Sequence, residues 1–181
     1  MVLNKQRQYL ILCEDKQQQY FIRHFLMECN INRSKISCEP LPKSGSGEQY
    51  VRENYVKVLK KCRSRNRAVT VVLAIDADVH TVVERMNQLD NMCQNTNTAK
   101  RSEADPLMML ISKRNIESWI KYFSSENANE TDVYSHLQNI SDAKPAVVRF
   151  SDDITNGRLS VSDFVSLRHA QEEYDRICRV V

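Results

Sequence analysis

Two carboxylates stand at the end of the most apolar stretch of this 181-residue chain. Residues 68–75 have the sequence Ala-Val-Thr-Val-Val-Leu-Ala-Ile, and Asp76-Ala77-Asp78 follows directly. Such a run is typical of a strand buried on both faces of a parallel sheet, and ligands bind at the carboxyl ends of such strands. Because side chains alternate along an extended backbone, Asp76 and Asp78 are expected on one side. The pair predicts a site for Mg²⁺ or Mn²⁺, which prefer oxygen ligands, and a capped strand end is the alternative.

Two further acids follow other apolar runs. Glu14 comes directly after residues 9–13, and Glu117 lies one helical turn after residues 106–111. If the strands are parallel, their carboxyl ends meet at one edge of the sheet. We therefore expect both glutamates to converge there with Asp76 and Asp78. For Glu117, local capping or pairing is the alternative.

Apolar strands and amphipathic helices alternate along the chain. This order predicts an α/β fold with a mostly parallel central sheet, helices on both faces and a helical C-terminal tail. We expect strands at 9–13, 35–39, 68–75 and 106–111, and helices at 17–30, 48–65, 81–93 and 113–123. We divide the chain into an α/β core at 1–124 and a helical C-terminal extension at 125–181, packed on the same domain. Within the extension we expect short helices at 132–140 and 144–150, and a final helix from Ser160 with Asp163 in a capping-box variant.

Composition excludes several classes of protein. A net charge of +3 and 27% charged residues are ordinary for a globular domain, and permit nucleic-acid binding without requiring it. The chain has only three glycines, too few for a Gly-rich phosphate-binding loop. The six cysteines form no CxxC pair, which favours free thiols in a reducing cytosol. The N-terminal segment lacks a signal-peptide layout, and no apolar stretch is long enough to span a bilayer. We expect a cytoplasmic location and no membrane partner.

A basic cluster and several rings have two interpretations each. The end of the second helix is rich in cations, which would form either a phosphate-binding patch or a solvated helix end. The cluster comprises Lys57, Lys60, Lys61, Arg63, Arg65 and Arg67. Among the histidines, His80 is the better candidate for a site because it follows Asp78 by two residues. Trp119 lies next to an apolar stripe of its helix, and we expect it in the core rather than as a surface on which a nucleic-acid base stacks.

The order of these motifs resembles the TOPRIM domain, which topoisomerases, primases, OLD-type nucleases and related small bacterial nucleases share. That family carries a Glu after its first strand, here Leu10-Ile11-Leu12-Cys13-Glu14. It carries an Asp-x-Asp after a later apolar strand, here Val72-Leu73-Ala74-Ile75-Asp76-Ala77-Asp78. Residues 110–120, Leu-Ile-Ser-Lys-Arg-Asn-Ile-Glu-Ser-Trp-Ile, are similar to the later strand and Glu-x-Trp helix of the OLD-like branch. The resemblance covers about residues 8–124.

The resemblance implies a metal-dependent nuclease that acts on DNA or RNA. Its metal ligands would be Glu14, Asp76, Asp78 and Glu117. Glu14 could instead act as a general acid or base. Lys113, Arg114 and Lys144 would be electrostatic clamps, Lys144 matching a late lysine of the OLD-like branch. The resemblance also implies a bacterial defence or toxin role beside a partner ATPase or other defence-system subunit, and it is compatible with a homo-oligomer.

Two departures leave other functions open. Asp15 stands where the family usually has Gly, and Gln18 stands where OLD-type enzymes often have a second acid. These residues favour one metal over two, and they also favour a non-catalytic interaction subunit that docks a partner protein or nucleic acid. A receiver-like phosphorylation domain, with Glu14-Asp15 as its acid pair, is a third interpretation.

Overall fold

A four-stranded parallel sheet forms the centre of the computed structural model, which describes residues 2–64, 68–124 and 127–181. The strands are β1 (Gln8–Leu12), β2 (Ile36–Cys38), β3 (Val69–Asp76) and β4 (Leu107–Ser112). The helices are α1 (Lys16–Glu28), α2 (Gly47–Arg63), α3 (Val82–Asn95), α4 (Ile116–Ser124), α5 (Lys144–Thr155) and α6 (Val165–Val180). The predicted α/β class is confirmed, and every strand pair is parallel.

The sheet lies between two helical layers. Alternate residues of β3 point to opposite faces, so Val72 and Ala74 join one apolar cluster while Val71 and Leu73 join the other. Helices α1, α4, α5 and α6 cover the first face, and α2 and α3 cover the second. All eight residues of β3 are buried, as the apolar run predicts.

Trp119 lies in the first layer, as predicted. It is fully buried, and its ring stacks on Phe150 with centroids 5.5 Å apart. Its indole Nε1–H donates to the Ser166 hydroxyl at 2.7 Å, so its polar atom is satisfied inside the core. This aromatic contact joins α4, α5 and α6, which pack together on one side of the sheet.

The strand order β2-β1-β3-β4 creates a crevice at the carboxyl edge. From β1 the chain passes to β2 on one side, and then crosses back to β3 and β4 on the other. The connections after β1 and β3 therefore run in opposite directions, and open α/β sheets bind ligands at such a point. The residues that follow Leu12 and those that end β3 line this crevice.

Two expectations for the C-terminal region are wrong. Residues 132–139 form no helix, because distant side chains hold their backbone: Asn115 donates to the Tyr134 carbonyl at 2.7 Å, and the Leu137 amide donates to Gln17 at 3.1 Å. The final helix begins at Val165 rather than at Ser160, which lies in a 3₁₀ turn.

The true start of α6 is capped from a distance. The Glu130 carboxylate accepts the backbone N–H groups of Val165 and Ser166 at 2.7 and 2.9 Å. A carboxylate at a helix N-terminus satisfies orphan donors and complements the helix dipole. Asp163 forms no capping box with Ser160, and the predicted helix at 144–150 extends to Thr155 as α5. In the part of the chain that the structure describes, no helix has the length and apolarity to cross a membrane.

Candidate active site

Glu14 and Asp76 lie together at the crevice between β1 and β3. The Glu14 carboxylate accepts the backbone N–H of Asp76 at 2.6 Å. The Asp76 carboxylate accepts the hydroxyl of Ser112, which is its register partner on β4. Side-chain hydrogen bonds therefore join three neighbouring strand ends, and the structure brings these two predicted acids to one edge.

Both carboxyl groups bind protons more tightly than usual. Burial raises the pKa of Glu14 to about 7, and the charges of Asp78 and Asp15 act in the same direction. Burial also raises the pKa of Asp76 well above its ordinary value, and the neighbouring Glu14 charge adds to this. Burial, rather than repulsion between like charges, is the first cause of both shifts. At neutral pH the pair can hold a proton that free carboxyl groups would lose.

Glu117 lies near this pair but has its own partners. It is buried in the first turn of α4, where Gln17 Nε2 donates to its Oε1 at 2.6 Å and His136 Nδ1 contacts the same oxygen. Its other oxygen is buried and has no hydrogen-bond partner among the described residues. Burial raises the pKa of Glu117, and its charge contributes to the raised pKa of Asp76. The structure thus places Glu117 at the same edge without contact to Glu14.

Asp78 points away from Asp76, contrary to the expected alternation. Strand β3 ends at Asp76, and Asp78 has a left-handed backbone with φ of 55°. Its carboxylate pairs with Arg85 at 3.0 Å, and its side chain is 54% exposed. The buried Arg85 also binds Glu48 and donates to the Gln88 side-chain oxygen at 2.7 Å. A turn at the strand end therefore directs Asp78 towards α2 and α3.

The predicted basic residues separate into two places. Lys113 donates to the His80 carbonyl, and Arg114 donates to the Asp78 carbonyl at 3.0 Å, so both fasten the loop after β3. Lys144 is exposed at the start of α5, and its charge acts on His24 of α1. His24 lies nine residues beyond Asp15, about 14 Å along the helix. The structure therefore brings Lys113 to the site and leaves Lys144 outside it.

Supporting contacts around Glu14 were missed in the sequence. Gln18, noted there only as a departure from the family, accepts the Glu14 backbone N–H at 3.0 Å, while its own Nε2 is buried without a partner among the described residues. A Cβ at Gly47 would lie 2.7 Å from both the Cβ and the carbonyl oxygen of Glu14. Gly47 lies just before the predicted helix at 48–65 and had no signal of its own, because this close approach depends on the folded position of α2. Ser112 was missed as well, although its position at the end of an apolar strand was a signal that could have revealed it.

The carboxylate oxygens of these acids are suitable ligands for a hard divalent cation, but the positions of the side chains are less suitable. Glu14 and Asp76 present adjacent oxygen donors. In residues 2–64, 68–124 and 127–181, no three His, Cys, Asp or Glu side chains are grouped to hold a metal ion. Asp78 is turned to Arg85, and Glu117 is bound by Gln17 and His136. The four-acid metal site therefore stays a prediction.

Comparison with known proteins adds no relative to this description. The chain matches no family model, no curated protein and no solved structure. The similarity to TOPRIM domains rests on the motifs themselves.

Proposed function

We propose that this protein is a nuclease of the TOPRIM type that hydrolyses phosphodiesters of DNA or RNA with Mg²⁺ or Mn²⁺. The observation that supports it is the hydrogen bond from the Asp76 backbone to the Glu14 carboxylate, at the crossover between β1 and β3. Burying ionisable groups is costly, and groups with perturbed pKa values cluster at functional sites. A buried Asp76 beside a half-buried Glu14 at the carboxyl edge of the sheet is therefore better explained by chemistry than by stability.

The side chains have distinct tasks in this proposal. Ser112 fixes the Asp76 carboxylate as an oxygen donor, and the Asp76 amide fixes Glu14 beside it. With a pKa of about 7, Glu14 can accept or release a proton at neutral pH. Lys113 holds the following loop next to both acids. A bound divalent ion would supply Lewis-acid polarisation of the phosphodiester and neutralise charge on the leaving oxygen.

A non-catalytic interaction subunit is the second candidate. Two observations favour it: Arg85 neutralises Asp78, and Gln18 offers a side-chain amide where an acid would add a ligand. Such a protein would dock a nucleic acid or a partner protein without cutting. The resemblance suggests a partner ATPase or other defence-system subunit, and it is compatible with a homo-oligomer.

The proposal includes a cytoplasmic location in a bacterial defence or toxin setting. All six cysteines lie in the described part of the chain and are free. Burial raises the pKa of several of these thiols, including Cys29 and Cys62, which keeps them in the unreactive thiol form. Free buried thiols suit a reducing compartment.

The test compares wild type with Asp76→Asn on single-stranded and duplex DNA and RNA, with millimolar Mg²⁺ or Mn²⁺. Asparagine keeps the size of the side chain and an acceptor for Ser112, so the fold should persist while cleavage is lost. The matched control is Asp163→Asn, an exposed aspartate before α6, which should cut like wild type.

Equal cleavage by wild type and Asp76→Asn would contradict the proposed site. No cleavage by wild type, alone or with a co-purified partner, would favour the non-catalytic subunit. Thermal melting of both variants confirms that any loss of cutting does not come from unfolding.

A further inference from the structure

A concave groove follows the outer face of α1 and continues to the 3₁₀ turn before β2. Its volume is about 330 Å³, and three cations, Lys16, Arg23 and Arg33, line it. The remaining lining residues are Gln19, Tyr20, His24, Met27 and Ile140. Lys144, at the start of α5, acts electrostatically on the same His24. We call this surface the α1 groove.

The cations of the α1 groove lack counterions. Within the described ranges, none of Lys16, Arg23, Arg33 and Lys144 forms an ion pair with a carboxylate. Among the described residues, the Arg23 guanidinium donates one hydrogen bond, to the sulfur of Cys38 at 3.7 Å, and its Nε is buried without a hydrogen-bond partner. Positive charge without an ion pair therefore lies on α1, on the 3₁₀ turn before β2 and at the start of α5.

The basic cluster on α2 differs in this respect. Lys57 and Lys61 both pair with Glu39, at 3.1 and 3.2 Å, and Arg63 pairs with Asp105 at 2.6 Å. Arg65 and Arg67, which the sequence placed in that cluster, lie outside the described residues. The α1 groove is thus the better candidate for binding an anion, although the sequence pattern pointed to α2.

An aromatic pair lies among these cations. The rings of Tyr20 and His24 have centroids 4.1 Å apart and are tilted by 32°. Burial lowers the pKa of His24, and the charges of Lys144 and Arg23 lower it further against the opposing charge of Glu28. His24 is therefore a neutral ring at neutral pH. Proteins that bind single-stranded nucleic acids combine a row of cations for the phosphates with aromatic faces on which bases stack.

We propose that the α1 groove binds a single strand of nucleic acid, with phosphates on its cations and a base against the Tyr20–His24 pair. Duplex bases are already stacked on one another and do not offer a free face. From Lys16 to Met27 the helix rises about 16 Å, which leaves room for a few nucleotides. Lys16 begins α1 two residues after Glu14, so one end of the groove lies at the end of the helix nearest that acid. The proposal deepens the proposed function by naming a single-stranded substrate. The cutting of the bound strand rests on the proposed nuclease function, whereas the binding does not.

The test measures fluorescence anisotropy of a labelled single-stranded oligothymidine with EDTA present, so that binding is separated from cleavage. Arg23→Ala/Arg33→Ala should weaken binding about tenfold, and the slope of log affinity against log salt should fall by about 1.4, or 0.7 for each lost phosphate contact. The matched control, Lys57→Ala/Lys61→Ala, should stay within about twofold of wild type, because both lysines pair with Glu39, which offsets part of their charge. Arg33→Ala/Lys144→Ala removes two exposed cations and provides the same comparison if the first pair misfolds.

Unchanged binding by the groove variants, or an equal loss in the control pair, would overturn the proposal. Equally tight binding of duplex DNA with the same sensitivity would overturn its single-strand part. Tight binding by wild type without any cleavage would remove the proposed nuclease and leave the groove supported. Cleavage by wild type, with groove variants that bind and cut equally well, would remove the groove and leave the nuclease supported.

Discussion

Replacing Glu14 with glutamine tests the central pair of carboxyl groups through folding stability. Glutamine keeps the shape of a protonated glutamate and keeps an oxygen to accept the Asp76 backbone N–H, whose bond to Glu14 is 2.6 Å. The change therefore removes the ionisation of the side chain while it retains the contact. Any difference in stability between the two proteins then reports the free energy of charging Glu14 in the folded state.

The sign and size of the effect follow from the pKa of Glu14. Because this pKa rises from 4.5 to about 7 on folding, the native state holds a proton that the unfolded chain has lost between these pH values. The stability that protonated Glu14 contributes should therefore be full below pH 4.5 and be lost as pH rises to about 7. The full shift corresponds to about 3.4 kcal/mol, at about 1.36 kcal/mol for each tenfold change in proton affinity. Because the Glu14 charge also acts on the titration of Asp76, we expect Glu14→Gln to exceed wild type by about 1–3 kcal/mol at pH 8 and to match it near pH 4.

Urea unfolding followed by circular dichroism, between pH 4 and 8, measures this difference without metal. The control is Glu172→Gln on α6, an exposed glutamate that should leave the pH profile unchanged. If Glu14→Gln is less stable than wild type at pH 8, then Glu14 is ionised and stabilised in the native protein. That result would refute the raised pKa of Glu14.

Three further predictions concern residues that support this edge and the C-terminal helix. Gly47→Ala should lose about 1–3 kcal/mol in urea unfolding, because its Cβ would lie 2.7 Å from Glu14; helix propensity alone predicts a gain of about 1 kcal/mol, and such a gain would show that the helix does not approach Glu14 closely. Glu130→Ala removes the carboxylate that caps α6 and should cost about 0.5–2 kcal/mol in the same measurement, whereas unchanged stability would show that the cap is unimportant. Arg85→Met frees the Asp78 carboxylate, so Mg²⁺ should raise the melting temperature of this variant more than that of wild type; equal shifts would show that Arg85 does not compete with a cation.

The parts of the fold that depend on local pattern were predictable. The continuous apolar run of β3 indicated burial on both faces, and alternation with amphipathic helices indicated parallel pairing. Parallel pairing by itself places every carboxyl strand end at one edge. The convergence of Glu14 and Asp76 therefore required no knowledge of distant contacts.

The parts that depend on distant contacts were not predictable. Alternation placed Asp78 beside Asp76, but the strand ends first and a buried arginine from α3 attracts its carboxylate. Residues 132–139 carry an apolar spacing that suggested a helix, yet Gln17 and Asn115 bind their backbone groups instead. His136 had no context in the sequence, and its contact with Glu117 exists only because this segment folds over α4.

The acids at this edge differ in how firmly they are held, and this difference decides what a ligand must displace. Asp76 accepts from Ser112 and is almost wholly buried, so it is firmly held. The ion pairs of Asp78 and Glu117 each include one exposed side chain: Asp78 itself is 54% exposed, and His136, which contacts Glu117, is 73% exposed. Arg85 would not be left as an unpaired buried charge if Asp78 moved, because Glu48 still binds it. To complete a metal site at this edge, Asp78 and Glu117 would have to leave their present partners. The strands themselves would not have to move.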